Sequence, residues 1–291
     1  MMRKRSKFIL LFLVVIFFAS CNKDDLNSSL IENIGKPVAY DNNGNVQLNV
    51  ALVSLTASAT KQDNILKMTS IIDNIMQNYS QTRLITFGET ALGLYYTETN
   101  TADYYQSIAE TIPGSTTNLF RNIAQNKNIY IAFGLFESDN GKIYNSLVLI
   151  DSNGNIIAKH RKVNLIGYEI DNGISAGAKE TIPIAYIDGI KTGLAICADG
   201  QDFWLTKQLT DAKIKLLIHS LADETNEYAT GNGPQYNSWV ISSNRTGEET
   251  YKPGSVIKFS GYHCISDPSG KFVHYTEGSE RYNIAKINIY N

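Results

Sequence analysis

An α/β fold is predicted for this 291-residue chain from three observations. Short apolar runs of strand length alternate with helically periodic segments through the first half. Hairpin signals gather in the second half, and 43% hydrophobic residues supply one large core. Residues 46–55 read as the first strand. Residues 64–79 read as a helix, because Ile65, Met68, Ile72, Ile75 and Met76 recur at helical spacing. Residues 84–87 form the next strand, and a helix over 117–126 precedes a strand over 129–136. Segments 143–150 and 155–159 pair around Ser152-Asn-Gly154, and segments 182–187 and 191–196 flank Asp188-Gly189, a dipeptide suited to a two-residue hairpin. A helix over 203–212 leads to a strand over 215–219. Later strands are 240–243, 256–259, 262–266 and 272–275. Two glycines and a proline within 229–236 argue against a regular helix there.

Three strand ends carry chemistry. Leu194 to Ile196 is an apolar run that delivers a thiol, Cys197, with Asp199 just beyond it. A strand end fixes such a nucleophile while leaving it reachable, although a lone cysteine reads equally as a small core hydrophobe. Arg83-Leu-Ile-Thr-Phe-Gly-Glu89 ends a second strand in a carboxylate. Asn155 to Leu165 carries a basic cluster around Lys162. In open α/β sheets ligands collect at strand ends, so an acid, an ammonium and a thiol so placed belong together.

Phe87-Gly-Glu89, Arg161-Lys162 with Val163-Asn-Leu165, and Cys197-Ala-Asp199 resemble the three blocks of the carbon-nitrogen hydrolase family, the nitrilase superfamily, whose triad is Glu-Lys-Cys. Val50 to Leu55, Gly134 to Glu137, Tyr144-Asn-Ser146, Asp151 to Gly154, Ile241 to Gly247 and Gly261 to Gly270 follow the same order, so the resemblance covers about residues 46–290. It implies two β-sheets packed face to face with helices on the outer faces, and dimerisation through one helical layer. It assigns Glu89 as general base and acid, Cys197 as nucleophile and Lys162 as stabiliser of charge on the substrate. The backbone N–H of Ala198 is a second oxyanion donor, and Glu169 resembles a second family glutamate that positions lysine or water. Two departures stand out. The family has proline before the glutamate where this chain has Gly88, which predicts a less rigidly held carboxylate. The family also carries a helix where this chain has the glycine-rich segment 229–236.

The amino terminus sets an address. Arg3, Lys4, Arg5 and Lys7 precede a twelve-residue apolar run, 8–19, too short for the ~20 residues that cross a bilayer as a helix. Ala19-Ser20-Cys21 then resembles a bacterial lipoprotein cleavage site, with Cys21 acylated. The expected organisation is a signal peptide over 1–20, a lipidated tether over 21–45 and a catalytic domain over 46–291. Asn22 after the cysteine, and Lys23-Asp-Asp25, predict a lipid-anchored protein of the outer membrane, on its periplasmic or surface side.

Removing the signal leaves 22 bases against 28 acids, a charge of −6, which gives no electrostatic footprint for nucleic acid. The four histidines, at 160, 219, 263 and 274, show no metal-ligand spacing, and no metal or cofactor is expected. Apart from Cys21 the cysteines are Cys197 and Cys264. The catalytic reading requires Cys197 to be a free thiol although an exported chain favours disulfides. Three functions remain open at this point. They are hydrolysis of a small non-peptide amide, acyl transfer from the same thioester to an amine, and a silent binding lipoprotein on the same fold.

Overall fold

The computed structural model describes residues 46–179, 182–225, 233–276 and 280–290. The segments expected to be a signal peptide, an acylated Cys21 and a tether, and residues 226–232, lie outside these residues. Two six-stranded sheets form the centre. The first contains β1 (Val46–Ser54), β2 (Leu84–Phe87), β3 (Tyr130–Asp139), β4 (Lys142–Ile150), β5 (Ile156–Arg161) and, at its far edge, β14 (Arg281–Ile289), in the order β14-β1-β2-β3-β4-β5. The second contains β6 (Ile184–Ile187), β7 (Ile190–Ile196), β8 (Leu216–Leu221), β9 (Trp239–Asn244), β12 (His263–Ser266) and β13 (Phe272–Thr276), in the order β13-β12-β9-β8-β7-β6. Each sheet is built alike, with three adjacent parallel strands, β1-β2-β3 and β7-β8-β9, extended by antiparallel neighbours. A separate ribbon pairs β10 (Thr246–Lys252) with β11 (Ser255–Ser260).

Strands buried on both faces explain the layering. Leu48, Val50 and Leu52 of β1 join Leu194 and Ile196 of β7, Leu216 and Ile218 of β8 and Ile241 of β9 in a core between the sheets. The alternate residues Ala51 and Val53 face helices α1 (Lys61–Asn78) and α3 (Ser115–Lys127), through Met68, Ile72, Ile75 and Phe120. On the other side Ala195, Leu217 and Val240 pack on Leu205 and Leu209 of α5 (Phe203–Asp211) and on Tyr236 of α6 (Gly233–Tyr236). The architecture is an α-β-β-α sandwich. Each layer buries one face of a sheet, so period-2 alternation within a wholly apolar strand decides which layer a side chain joins.

The Asp188-Gly189 turn forms as expected, with both residues at positive φ (47° and 85°) and Ile187 paired with Ile190. Arg83 reaches it from the start of β2, donating through Nε and Nη2 to Asp188 at 2.7 and 2.8 Å, and so ties the two sheets. Several elements were not foreseen, among them two helices and two strands. Helix α2 (Thr101–Ile108) and α4 (Gly167–Asp171) are short, and β10 and β14 mix polar with apolar residues. Strand β14 is held by nine paired positions along β1, a long-range match that no local pattern encodes. Residues 229–232 lie outside the described residues, and Gly233–Tyr236 forms a single helical turn, α6, where the glycines and proline argue against a regular helix.

Candidate active site

Strands β2, β5 and β7 each lead directly into the candidate site. Lys162 follows β5, its N–H bonded to the Asn145 carbonyl at 2.8 Å. Its side chain is wholly buried. The ammonium lies 2.9 Å from Glu89 Oε1, 2.9 Å from Glu169 Oε2 and 3.4 Å from the Tyr95 hydroxyl. Glu89 follows β2. Glu169 sits in α4, where Oε2 also accepts the Ile166 N–H at 3.0 Å, so one carboxylate both caps this helix and holds the lysine. Asn145 of β4 bridges the same acids, donating from Nδ2 to Glu89 Oε1 at 2.6 Å and to Glu169 Oε1 at 2.8 Å. Two carboxylates are thus cross-linked twice, by an ammonium and by an amide. Among the described residues Glu89 Oε2 has no hydrogen-bond partner.

Burial decides the electrostatics. It raises the Glu89 pKa above the ordinary carboxylate value. The Glu169 charge adds to the rise, and Lys162 and Asn145 only partly offset it. Burial also works against the Lys162 charge, but attraction to Glu89, Cys197 and Glu169 prevails, and its pKa is pushed well above the usual value. The lysine therefore stays charged, as a cation that reduces the cost of two buried acids.

Cys197 lies at the end of β7, opening a 3-10 turn over Cys197–Gln201, with φ at 46°. It is a buried free thiol, and so is Cys264, which packs between the sheets and whose pKa burial lifts to about 12. Burial and then the Glu89 charge raise the Cys197 pKa, while Lys162 lowers it. At neutral pH the resting group is a thiol. Asp199, two residues on, accepts the N–H groups of Val163 (3.1 Å) and Asn164 (2.7 Å) and meets His160 Nε2 at 2.8 Å. This buried carboxylate ties the turn that begins at Cys197 to the residues directly after Lys162.

The segment around Glu89 is held from both sheets. Glu89 N–H donates to Leu221 O of β8 at 3.0 Å, and Gly134 N–H to Gly88 O at 3.3 Å. Gly88 is not a loose joint: a Cβ there would stand 2.8 Å from Leu221 O and 3.0 Å from Arg245 N, so the missing side chain lets β2 meet β8. Thr90 takes φ 48° and receives Arg245 Nη1 at 2.6 Å. Arg245 pairs with Glu249, whose other oxygen accepts Tyr95 and Tyr96 N–H at 2.9 and 2.8 Å. Gly134 is equally tight, its absent Cβ falling 2.5 Å from Thr90 N and 2.8 Å from Glu89 Cα. Gly134→Ala is expected to displace Glu89, costing about 1–3 kcal/mol by overpacking and lowering turnover more than substrate affinity. Urea melts and steady-state kinetics check this.

The carbon-nitrogen hydrolase family model matches residues 49–290, which is nearly the whole described chain. This chain belongs to the carbon-nitrogen hydrolase family. It is 27% identical over 177 residues to an omega-amidase of Xenopus laevis, covering 58% of this chain and 62% of that one, so the match spans less than two thirds of the relative. An omega-amidase of Saccharomyces cerevisiae is 29% identical over 249 residues, covering 78% and 82%. A solved S. cerevisiae structure from branch 10 of the nitrilase superfamily superposes with a TM-score of 0.71 at 22% identity over 88% of this chain and 92% of that one, which is a likeness of fold.

Within this carbon-nitrogen hydrolase, Glu89, Lys162 and Glu169 are in direct contact. Cys197, with Ala198 next to it, joins them through its electrostatic interaction with all three. Asn145, Tyr95, Asp199, Arg245 and Glu249 complete the surroundings and were not singled out as site residues. Asn145 stood within the family-like Tyr144-Asn-Ser146, and Tyr95 within a loop pair of tyrosines. Nothing in the residues themselves says that either touches the lysine.

Proposed function

We propose that this carbon-nitrogen hydrolase cleaves a small non-peptide amide through a thioester on Cys197. The observation that carries the reading is the Lys162 ammonium held 2.9 Å from each of two buried carboxylates beside a buried thiol. As sulfur attacks the carbonyl carbon, its proton passes to Glu89, whose raised pKa lets it hold that proton. Negative charge developing on the substrate oxygen is met by Lys162 and by the Ala198 N–H. The tetrahedral adduct collapses as Glu89 returns the proton to the departing amine, leaving a thioester. Water, deprotonated by Glu89, then attacks the thioester, the C–S bond breaks to release the carboxylic acid, and Glu89 returns the proton to the sulfur. Glu169 and Asn145 keep the lysine and Glu89 in place throughout. Incubation with amide, nitrile and carbamoyl compounds, read as ammonia release, tests the proposal. Hydroxylamine converts any acyl transfer into a detectable hydroxamate, and silence on every compound would leave a binding protein.

The pKa directions set a pH profile. Glu89 must be ionised to accept the proton, and its pKa is raised, so kcat/KM is expected to fall on acidification along a limb above the ordinary glutamate value of about 4.3. Lys162 and Cys197 are both shifted upward, so no alkaline loss is expected below the ordinary lysine range, about 10.4. An acid limb at or below that of a free carboxylate would contradict the assignment of Glu89.

The proposal extends to location. The basic stretch, the twelve-residue apolar run and Ala19-Ser20-Cys21 support export and acylation at Cys21, and Asn22 supports sorting to the outer membrane. Multiple acyl chains would anchor the protein stably where one would not. Cys21→Ser is expected to move the protein from the detergent to the aqueous phase in a phase partition. Retention in the detergent phase would refute anchoring through this residue.

A further inference from the structure

We infer that His219 is a positioning residue for the oxyanion-binding peptide: by donating Nε2–H to the Cys197 carbonyl it aims the Ala198 N–H at the substrate. The inference rests on the hydrolytic reading above. His219 lies on β8, opposite Ala195 in the parallel pairing with β7, and is fully buried. Its Nε2 stands 2.9 Å from Cys197 O. A carbonyl can only accept, so the hydrogen is on Nε2 and Nδ1 is left as an acceptor. That Nδ1 is buried with no partner among the described residues.

Geometry carries the role. The peptide joining Cys197 to Ala198 is planar and trans, so its C=O and N–H point in opposite directions. A bond that fixes the carbonyl toward β8 fixes the N–H toward the other side. Cys197 is in a left-handed conformation that a non-glycine residue adopts at a cost, and the imidazole bonds its carbonyl in that conformation. Gly200 closes the arrangement: a Cβ there would lie 2.6 Å from the Cε1 and Nε2 atoms of His219, so the turn can sit directly on the ring. A donor on the carbonyl also polarises the peptide and strengthens its N–H as a donor in turn. An apolar residue would fill this core position without leaving Nδ1 unpaired. A specific task accounts for the imidazole. Burial lowers the His219 pKa, so the ring acts as a neutral donor.

The test compares His219→Leu and His219→Gln on an amide that the parent enzyme hydrolyses. In the leucine variant kcat is expected to fall by about 10²-fold, the loss typical of one oxyanion donor. KM should stay within about 3-fold, as for an interaction made only in the transition state. Alkylation of Cys197 by iodoacetamide develops no oxyanion at this peptide, so its rate should remain near the parental one. Glutamine, whose amide can donate to the same carbonyl, should restore most of kcat. Should the leucine variant fail to fold, His219→Asn, polar but too short to reach the carbonyl, carries the same expectation against glutamine. A leucine or asparagine variant with parental kcat overturns the inference, as does a fall of kcat and alkylation together in both the apolar and the glutamine variants. A parent that hydrolyses no amide overturns the hydrolytic reading itself, and this inference with it.

Discussion

Cys197→Ala is expected to yield a folded protein that releases no measurable ammonia from any amide cleaved by the parent. Removing the sulfur leaves no atom to form the thioester. When a nucleophile acting within a concerted set is deleted, the loss typically exceeds 10⁴-fold, and the residue of activity reflects binding and oxyanion stabilisation alone. The fold should survive. Cys197 is buried as a small side chain at a strand end, alanine tolerates the same φ of 46° no worse than cysteine does, and the cavity left is about one atom. Removing a thiol whose ionisation burial and Glu89 already oppose takes no charge out of the cluster at neutral pH. Ammonia assays and thermal melts on parent and variant decide the matter. Parental turnover without the sulfur would end the thioester mechanism.

Lys162→Met carries the second large effect, and it falls on stability as much as on catalysis. The cation is wholly buried between Glu89 and Glu169, and without it two carboxylates share a dry site with only the Asn145 amide between them. Removing one partner from a buried ionic cluster typically costs about 3–5 kcal/mol, here a drop of roughly 6–20 °C in Tm for a domain of this size. The sign with pH is specific. Glu89 already has a raised pKa, and loss of the cation raises it further, so the folded variant prefers a protonated Glu89. Its stability is then greatest below the unfolded glutamate value of about 4.3, where both states are protonated, and declines as pH rises through the folded value. Adding Glu169→Gln should recover part of the loss by removing one of the two stranded charges. Urea melts across pH would expose the error if Lys162→Met unfolds at neutral pH as the parent does.

The layered fold was legible where chemistry is local. The period of Met68, Ile72 and Ile75 gave helix α1, and Asp188-Gly189 gave the hairpin because two successive positive φ values need such residues. The site was legible only in its ionic and nucleophilic members, because Glu89, Lys162 and Cys197 occur in short ordered blocks that resemble a family. What could not be read was mutual: Asn145 looks like any strand asparagine until both carboxylates are seen to share its amide. Asp199 likewise looks like a turn residue until its oxygens are found on Val163 and Asn164. Gly88 was misjudged for the same reason. Alone it suggests freedom, whereas its neighbours Leu221 and Arg245 make it a contact point.

Glu89, Asn145 and Lys162 belong to one sheet and Cys197 and His219 to the other, with Asp199 spanning the gap. Under the proposed mechanism catalysis is therefore a gauge of how the halves of the sandwich are seated. A slip of about 1 Å between them, too small to expose much apolar surface, would already cost on the order of 10²-fold in rate. Mild denaturant should accordingly silence the enzyme before any spectroscopic probe of secondary structure responds.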